Sequence, residues 1–487
     1  MTTPTQTPNN LPDMDFETYS EAGMYRTADH KWKPITPAKA GIACVGASVY
    51  SEHPSTEILM LAYDLKRGAG KQLWLPGMPA PVDLFEHLAS GGQLAPRMGL
   101  IEAHNSGFEY LIWNNVGCRL HGWPKLPLAQ LRCSAAKAKA HALPASLAGA
   151  GAAIGLPADK QKDKEGKRLI RKFSIPQTPT KKQPLERVRP MDDPVDFQKF
   201  CEYCIQDIVT ESALSALLPE LDSSELPMWL LDQKINQRGV QVDLEGINNC
   251  IAIVEQAFDK YNQELRTLTA GQVSEASKLT DLTKFVRANG IDLPNAQAET
   301  IETVLKTAPE GPAKRALEIR VLIGSAAVKK LFSMLNMASA DGRLRELFSY
   351  YQAHTGRFAG KGPQPQNLPN SGPMVKRCCR WFDASLQICP RCHNGVPDGI
   401  DSTVVSEWSV EAAEFTLLLA SNSNLQQFES YFPNPIAAIS GCLRALFTSA
   451  PDTELICSDY SAIEAVVLAC LAGEKWRIDV FKGHGMI

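Results

Sequence analysis

Asp15-Phe16-Glu17 places two carboxylates two residues apart in a segment that reads as a strand. The strand period of two sends both side chains to one face. Two like charges held that close are costly unless a cation neutralises them, and hard divalent cations take oxygen ligands. A lone Asp-x-Glu is common on solvated strand faces, so it needs company. Glu109, in His104-Asn105-Ser106-Gly107-Phe108-Glu109, opens a helix after a strand, where the helix dipole alone would favour an acid. Tyr203 and Asp207, in Tyr203-Cys204-Ile205-Gln206-Asp207, are four apart and share one helix face. Four such carboxylates suit a pair of Mg²⁺ ions roughly 4 Å apart. That pair serves phosphodiester hydrolysis, which needs an activated water and a stabilised leaving oxyanion. The Tyr203 hydroxyl could orient the water.

The second constellation is sulfur. Cys378-Cys379 and Cys389-Pro390-Arg391-Cys392-His393 set one Cys-x-x-Cys knuckle against an adjacent pair. Four thiolates, or three with His393, suit tetrahedral Zn²⁺; the alternative is free thiols in a surface insertion. No acid–base partner is evident, so a zinc here would be structural. Most of the other cysteines among the chain's thirteen sit singly in apolar surroundings, as buried thiols of a reducing compartment do.

The elements that must position these groups follow from local pattern. Residues 13–20, 42–51, 57–65 and 98–104 read as strands. Residues 82–89, 108–116, 135–153 and 197–218 read as helices. A run of strands followed by helix–strand–helix predicts an α/β layer domain. Residues 158–190 hold seven Lys and four Arg against four acids. They are either a solvated loop or a flexible basic arm for phosphates. Residues 228–337 are almost wholly helical. Gly239 suits a helix C′ position and Asp243 an N-cap. Residues 364–373, rich in Pro, Gly and Asn, are expected to be extended. Residues 403–432 read as helical. Residues 443–447 and 455–458 lead to Asp459 at a strand end, and a strongly apolar helix follows over 463–472.

Length and composition set the limits. With 487 residues the chain has room for about three domains. Fifty Lys plus Arg against fifty-three Asp plus Glu give a net charge of −3, which excludes a histone-like binder but not a basic groove. No run approaches the roughly 18 apolar residues of a membrane span. The start lacks a secretory signal, so a cytoplasmic protein is expected.

The carboxylate motifs, in this order, resemble those of the DEDD 3′–5′ exonucleases, which have a ribonuclease-H-like fold. Asp15 and Glu17 match the first motif, Glu109 the second, where Asp is more usual, and Tyr203 with Asp207 the third. The remainder resembles the family A DNA polymerases. Residues 232–243 are similar to the entry of the thumb. Thr355-Gly356-Arg357-Phe358 and Gln364-Pro365-Gln366-Asn367-Leu368-Pro369 are similar to segments that line the primer–template duplex. The resemblance implies that Arg357 meets a phosphate, and that Gln366 and Asn367 meet the minor-groove edge and sugar. Minor-groove acceptors are nearly alike for every base pair, so contacts there test pairing without reading sequence. Lys329 and Lys330 could add phosphate contacts, although a solvated face is the preferred reading.

Ser458-Asp459-Tyr460-Ser461-Ala462-Ile463-Glu464-Ala465 matches the family's motif A. The resemblance implies that Asp459 is a ligand of the catalytic metals and that the Tyr460 carbonyl completes one site. Glu464 would exclude a 2′-hydroxyl from the incoming sugar. Val466 stands where the family has Arg. The basic nucleotide-binding helix and the second palm Asp do not follow Asp459.

The expected architecture is therefore α/β plus α. It comprises an exonuclease domain over 1–222, a helical thumb over 223–345, and an incomplete palm over 346–487 with a Cys-rich insertion at about 371–433. The expected activity is DNA synthesis with proofreading in replication, in a phage-like enzyme. The chain alone is expected to perform only the exonuclease step. The alternatives are a stand-alone exonuclease and a non-catalytic DNA-binding half of a split polymerase. Expected partners are primer–template DNA, deoxynucleoside triphosphates and a separate C-terminal polypeptide.

Overall fold

The computed structural model describes residues 11–36, 39–91, 99–157, 165–181, 183–324, 327–353, 355–393, 405–406, 408–458, 460 and 462–484. The chain divides into two compact units, Met1–Phe447 and Thr448–Ile487.

The first unit begins with strand β1 (Asp13–Tyr19) and a short hairpin, β2 (Met24–Arg26) and β3 (Trp32–Pro34). Helix α1 (Ile42–Glu52), strands β4 (Glu57–Asp64) and β5 (Gln72–Trp74), helix α2 (Val82–Ala89) and strand β6 (Ile101–Ala103) follow. A helical run then changes pitch from α3 (Gly107–Leu111) through a π-helical turn (Ile112–Gly117) to α4 (Cys118–His121). Strand β7 (Leu131–Cys133) completes a five-stranded sheet in the order β5-β4-β1-β6-β7. β1 runs antiparallel to β4 and parallel to β6. Its register with β4 slips between Glu17 and Thr18, a bulge of the kind that re-aims side chains.

Alternation along β1 divides its side chains between two layers. Met14 and Phe16 join a core with Trp113 and Trp123. On the opposite face Met60 and Ala62 of β4 pack with Phe200, Tyr203 and Cys204. Those last three belong to helix α8 (Pro194–Leu217), whose N-cap Asp193 accepts from the Asp196 N–H with Pro194 in the first turn. β1 is thus buried on both sides, and α8 lies over the face that carries Asp15 and Glu17.

Three expectations are corrected in this part. Residues 42–51 form a helix, not a strand. Cys44, Val45, Ser48 and Ser51 are buried at helical spacing, and Gly46 interrupts the helix at φ 77° and ψ 166°. The Ala-rich stretch 135–153 is two helices, α5 (Ser134–Ala140) and α6 (Leu147–Ala153). Ala142 takes φ 58° between them, and Pro144 cannot continue a helix. The basic stretch contributes helix α7 (Gly166–Phe173), which buries Leu169 and Phe173 against α8.

The helical part comprises α9 (Glu225–Arg238), α10 (Leu244–Leu268), α11 (Leu279–Ala288), α12 (Ala298–Leu305), α13 (Pro312–Ile323) and α14 (Lys329–Met337). Gly239 ends α9 at φ 65°, and the Asp243 side chain caps α10 on the Gly246 N–H. Two short ribbons follow. β8 (Val240–Gln241) pairs with β9 (Arg343–Leu344), and β10 (Phe348–Ser349) with β11 (Ala359–Gly360). The stretch 364–373 is not extended throughout, because Pro365–Asn367 forms a 3₁₀ turn. Strands β12 (Val375–Arg377), β13 (Trp381–Asp383) and β14 (Val405–Ser406) form a small sheet in the order β13-β12-β14. Helices α15 (Val410–Ala420), α16 (Leu425–Tyr431) and α17 (Pro435–Cys442) share one apolar core with α10 and α13. Residues 443–447, read as leading to a strand, contain the 3₁₀ turn Leu443–Leu446.

In the second unit none of residues 448–458 forms a strand, contrary to expectation, and Asp459 lies outside the described residues. Helix α18 (Ile463–Ala472) occurs where the apolar run predicts it and is followed by α19 (Lys475–His484). Leu468, Leu471 and Trp476 are exposed.

Candidate active site

β1 and α8 bring three of the predicted carboxylates together. One oxygen from each of Asp15, Glu17 and Asp207 lies within 4.8 Å of the others. Asp207 is buried, and the Tyr203 hydroxyl one turn earlier hydrogen-bonds to it. Burial first, and then the Asp207 charge, hold the Tyr203 hydroxyl protonated well above the usual phenol range. Glu17 and Asp15 add to the same effect.

Glu109 comes from the first turn of α3 and is 3% exposed. It lies outside the three-oxygen group, yet burial and then the Asp15 charge push its carboxyl well above the usual range. Its Oε2 is buried without a hydrogen-bond partner. A buried acceptor facing other carboxylates is unfavourable alone and suits a cation. The all-oxygen donor set fits a hard divalent ion such as Mg²⁺.

Several supporting groups carry no local sequence signal. The Cys204 thiol donates to the Asp15 carboxylate at 3.6 Å, and burial keeps that thiol protonated. Gly166 of α7 lies against the Tyr203 ring. Behind the site, buried Lys137 pairs with Glu102 at 2.6 Å, and Lys66 with Asp13 at 2.8 Å. Ser134 donates to Glu211, one turn beyond Asp207, at 2.9 Å. The Lys137 and Ser134 contacts tie α5 to β6 and to α8, and Lys66 ties the end of β4 to β1. Burial, then Glu102, raises the Glu211 carboxyl well above its usual range.

Three cations in the described part of the basic stretch are held in ion pairs. Arg187 pairs with Glu57 at 2.7 Å over the Tyr19 ring, and Arg168 and Lys172 each reach Asp196 at 2.6 Å. These three charges are matched by acids of the same unit that lie outside the stretch.

Of the duplex-lining candidates, Arg357, Gln366 and Asn367 are exposed. The 3₁₀ turn carrying Gln366 and Asn367 is braced by Lys330, which donates to the Asn367 carbonyl at 2.6 Å. Lys330 is therefore not simply solvated. Arg444 donates to the carbonyls of Leu368 and Pro369 at 2.9 and 3.1 Å. Tyr460 and Glu464 are exposed in the second unit. The sulfur atoms of Cys378, Cys379, Cys389 and Cys392 also converge within 4.8 Å, without His393, and could bind a metal.

A mixed sheet whose central strand presents converging carboxylates beneath a helix belongs to a class of sites suited to divalent cations. The particular relationship comes from sequence. The chain is 31% identical over 457 residues to the DNA polymerase of Bacillus phage SP02, an alignment covering 91% of this chain and 61% of that protein. This relationship supports the resemblance to family A DNA polymerases. The chain spans about three-fifths of its relative's length. No protein-family model matches it. The solved POL domain of Pol1 from M. smegmatis, in complex with DNA primer-template and dNTP, aligns at 14% identity with a TM-score of 0.38. That alignment covers 64% of this chain and 50% of that one, a likeness too distant to assign a fold. Among the described residues no helix is long and apolar enough to cross a membrane.

Proposed function

We propose that this chain is part of a family A DNA polymerase of phage type, acting in DNA replication, whose N-terminal domain is a 3′–5′ proofreading exonuclease. The observation that carries the exonuclease reading is the convergence of Asp15, Glu17 and Asp207 on one side of β1, with Tyr203 hydrogen-bonded among them. The strand order β5-β4-β1-β6-β7, with β4 antiparallel to its neighbours, supports a ribonuclease-H-like domain. The proposed divisions are 1–222 for the exonuclease, 223–345 for a thumb-like region and 346–487 for the first part of a palm.

Asp15, Glu17 and Asp207 would hold Mg²⁺, with Glu109 facing Asp15 beside them. Bound Mg²⁺ supplies the positive charge that offsets these carboxylates and the phosphate under attack. Tyr203 stays neutral across physiological pH, so its hydroxyl orients the attacking water and does not deprotonate it. For synthesis, Arg357, Gln366 and Asn367 would contact the duplex. Asp459, Tyr460 and Glu464 would contribute to a polymerase site completed by deoxynucleotide and by further palm and fingers sequence. The soft sulfur ligands are assigned to Zn²⁺.

Two assays test the reading. Purified protein should digest labelled single-stranded DNA from the 3′ end only with Mg²⁺. Digestion unaffected by Asp207→Asn would remove the exonuclease assignment. Primer extension by the 487 residues alone should fail, because one palm carboxylate does not make a two-metal site. Asp459-dependent extension would show that the chain is self-sufficient.

A further inference from the structure

The strands β12 and β13 join through a turn that carries Cys378 and Cys379, where the Cys378 N–H donates to the Arg380 carbonyl at 3.1 Å. A second turn, Cys389-Pro390-Arg391-Cys392, is closed by the His393 N–H on the Cys389 carbonyl at 2.9 Å. The backbone N–H groups of Cys392 and Arg391 point at the Cys389 sulfur. The two turns face each other. Cys378 Sγ lies 3.6 Å from Cys392 Sγ, and Cys379 Sγ lies 3.6 Å from Cys389 Sγ.

At these separations the four cysteines are free, since a disulfide is about 2.05 Å long. They fit a shared metal instead. Four sulfurs at about 2.3 Å from one zinc stand about 3.8 Å apart along the edges of the tetrahedron. Arg380 and Arg391 lie in the two turns, and the Arg380 guanidinium donates to the Cys379 carbonyl at 3.4 Å. Strands β12 and β13 have three residues each and β14 has two, too short to be stable by pairing alone. Val375 and Phe382 anchor its inner side, while Cys378 and Cys379 are exposed.

We infer that Cys378, Cys379, Cys389 and Cys392 form a closed structural zinc centre that staples the β12–β13 turn to the 389–392 turn. Four protein ligands leave no open position, so the centre takes no part in cleavage or synthesis. The inference rests on the assignment of the sulfur ligands to zinc made above, and not on the exonuclease reading.

Metal analysis of the purified full chain should give about one zinc per polypeptide. Exchange for Co²⁺ should produce the thiolate-to-cobalt absorption of a tetrahedral site. Cys389→Ser with Cys392→Ser should lose the metal and expose 371–393 to limited proteolysis. Mg²⁺-dependent digestion of single strands should stay within about twofold of the parent. Absence of stoichiometric zinc, with all four thiols reacting freely in the native protein, would overturn the inference. So would a mass showing two disulfides, or nuclease activity that falls in step with zinc removal. Metal content and the cobalt spectrum are read without the nuclease. A zinc-loaded chain lacking nuclease activity would therefore count against the exonuclease reading alone.

Discussion

Gly166 sits so close to Tyr203 that a Cβ at position 166 would lie 1.9 Å from Cε2 of the ring. Tyr203 is 2% exposed and stacks on Phe200, so its ring has little room to move aside. Gly166→Ala should therefore displace the Tyr203 hydroxyl from the carboxylates and leave the sheet intact. A misplacement of about 1 Å can cost roughly 10²-fold in rate. Steady-state digestion of single strands should fall on that order, with circular dichroism unchanged. Tyr203→Phe should lose comparable activity without steric strain. A Gly166→Ala protein as active as the parent would mean that the contact does not position the hydroxyl.

The carboxylate cluster makes a second expectation. Asp15→Asn with Glu17→Gln keeps volume and removes two negative charges beside Asp207 and Glu109. Loss of charge stabilisation at such a site typically costs about 10²–10³-fold, so Mg²⁺-dependent cleavage should drop at least that far. The metal-free double variant should be no less stable than the metal-free parent, because like-charge repulsion is relieved. Urea denaturation with and without Mg²⁺ reads both effects. A variant stabilised by Mg²⁺ as strongly as the parent would show that the cation binds elsewhere.

Glu346 sets a pH-dependent contact away from the site. Gly46 breaks α1, so the next N–H groups start a new helical turn without acceptors in the helix. Glu346 Oε2 accepts the Ser48 N–H at 2.8 Å, and the Ala47 N–H also reaches this carboxyl. Burial raises the Glu346 carboxyl above its ordinary 4.5, against the opposing pull of those N–H groups and Lys361. A raised carboxyl contributes stability that is complete below the ordinary value and is lost as pH rises through the raised one. Glu346→Gln keeps an acceptor and does not ionise. Its stability should decline less with rising pH over that window than the parent's, as read from denaturation midpoints. Glu346→Ala leaves two N–H groups unmatched and should cost about 1–3 kcal/mol. An unchanged pH slope in the Gln variant would assign the dependence to other groups.

The legible part of this protein is the part set by short-range periodicity. Asp15 and Glu17 share a strand face, and Tyr203 and Asp207 share a helix face, because backbone geometry fixes those relations within a few residues. α2 and α18 were equally open to reading, since each is bounded by clear breaks in an apolar pattern. Residues 42–52 were not. Small and β-branched residues fit either state, and the buried contact that selects a helix comes partly from Glu346, about three hundred positions away. Ion pairs of the basic stretch are hidden for a similar reason. Arg187, Arg168 and Lys172 find Glu57 and Asp196 only after folding. The role of Gly166 depends on a ring 37 residues further on, a distance no local pattern spans.

Arg357 and Arg444 should be separable by salt. Arg357 is exposed beside the 358–369 segment, in the position that the family resemblance gives to a phosphate contact. Arg444 donates to the carbonyls of Leu368 and Pro369, and so braces the turn that presents Gln366 and Asn367. Each phosphate contact adds about 0.9 to the slope of log affinity against log salt on duplex DNA. Arg357→Ala should lower that slope by roughly this amount and weaken binding alike on unrelated primer–template sequences, because phosphates carry no sequence information. Arg444→Ala should weaken binding by loosening the turn, with a much smaller change in slope. Fluorescence anisotropy with labelled duplexes over a range of salt concentrations measures both quantities. Equal slope changes in the two variants would show that Arg444 reaches the phosphates itself, and an unchanged slope in Arg357→Ala would remove Arg357 from the duplex contact.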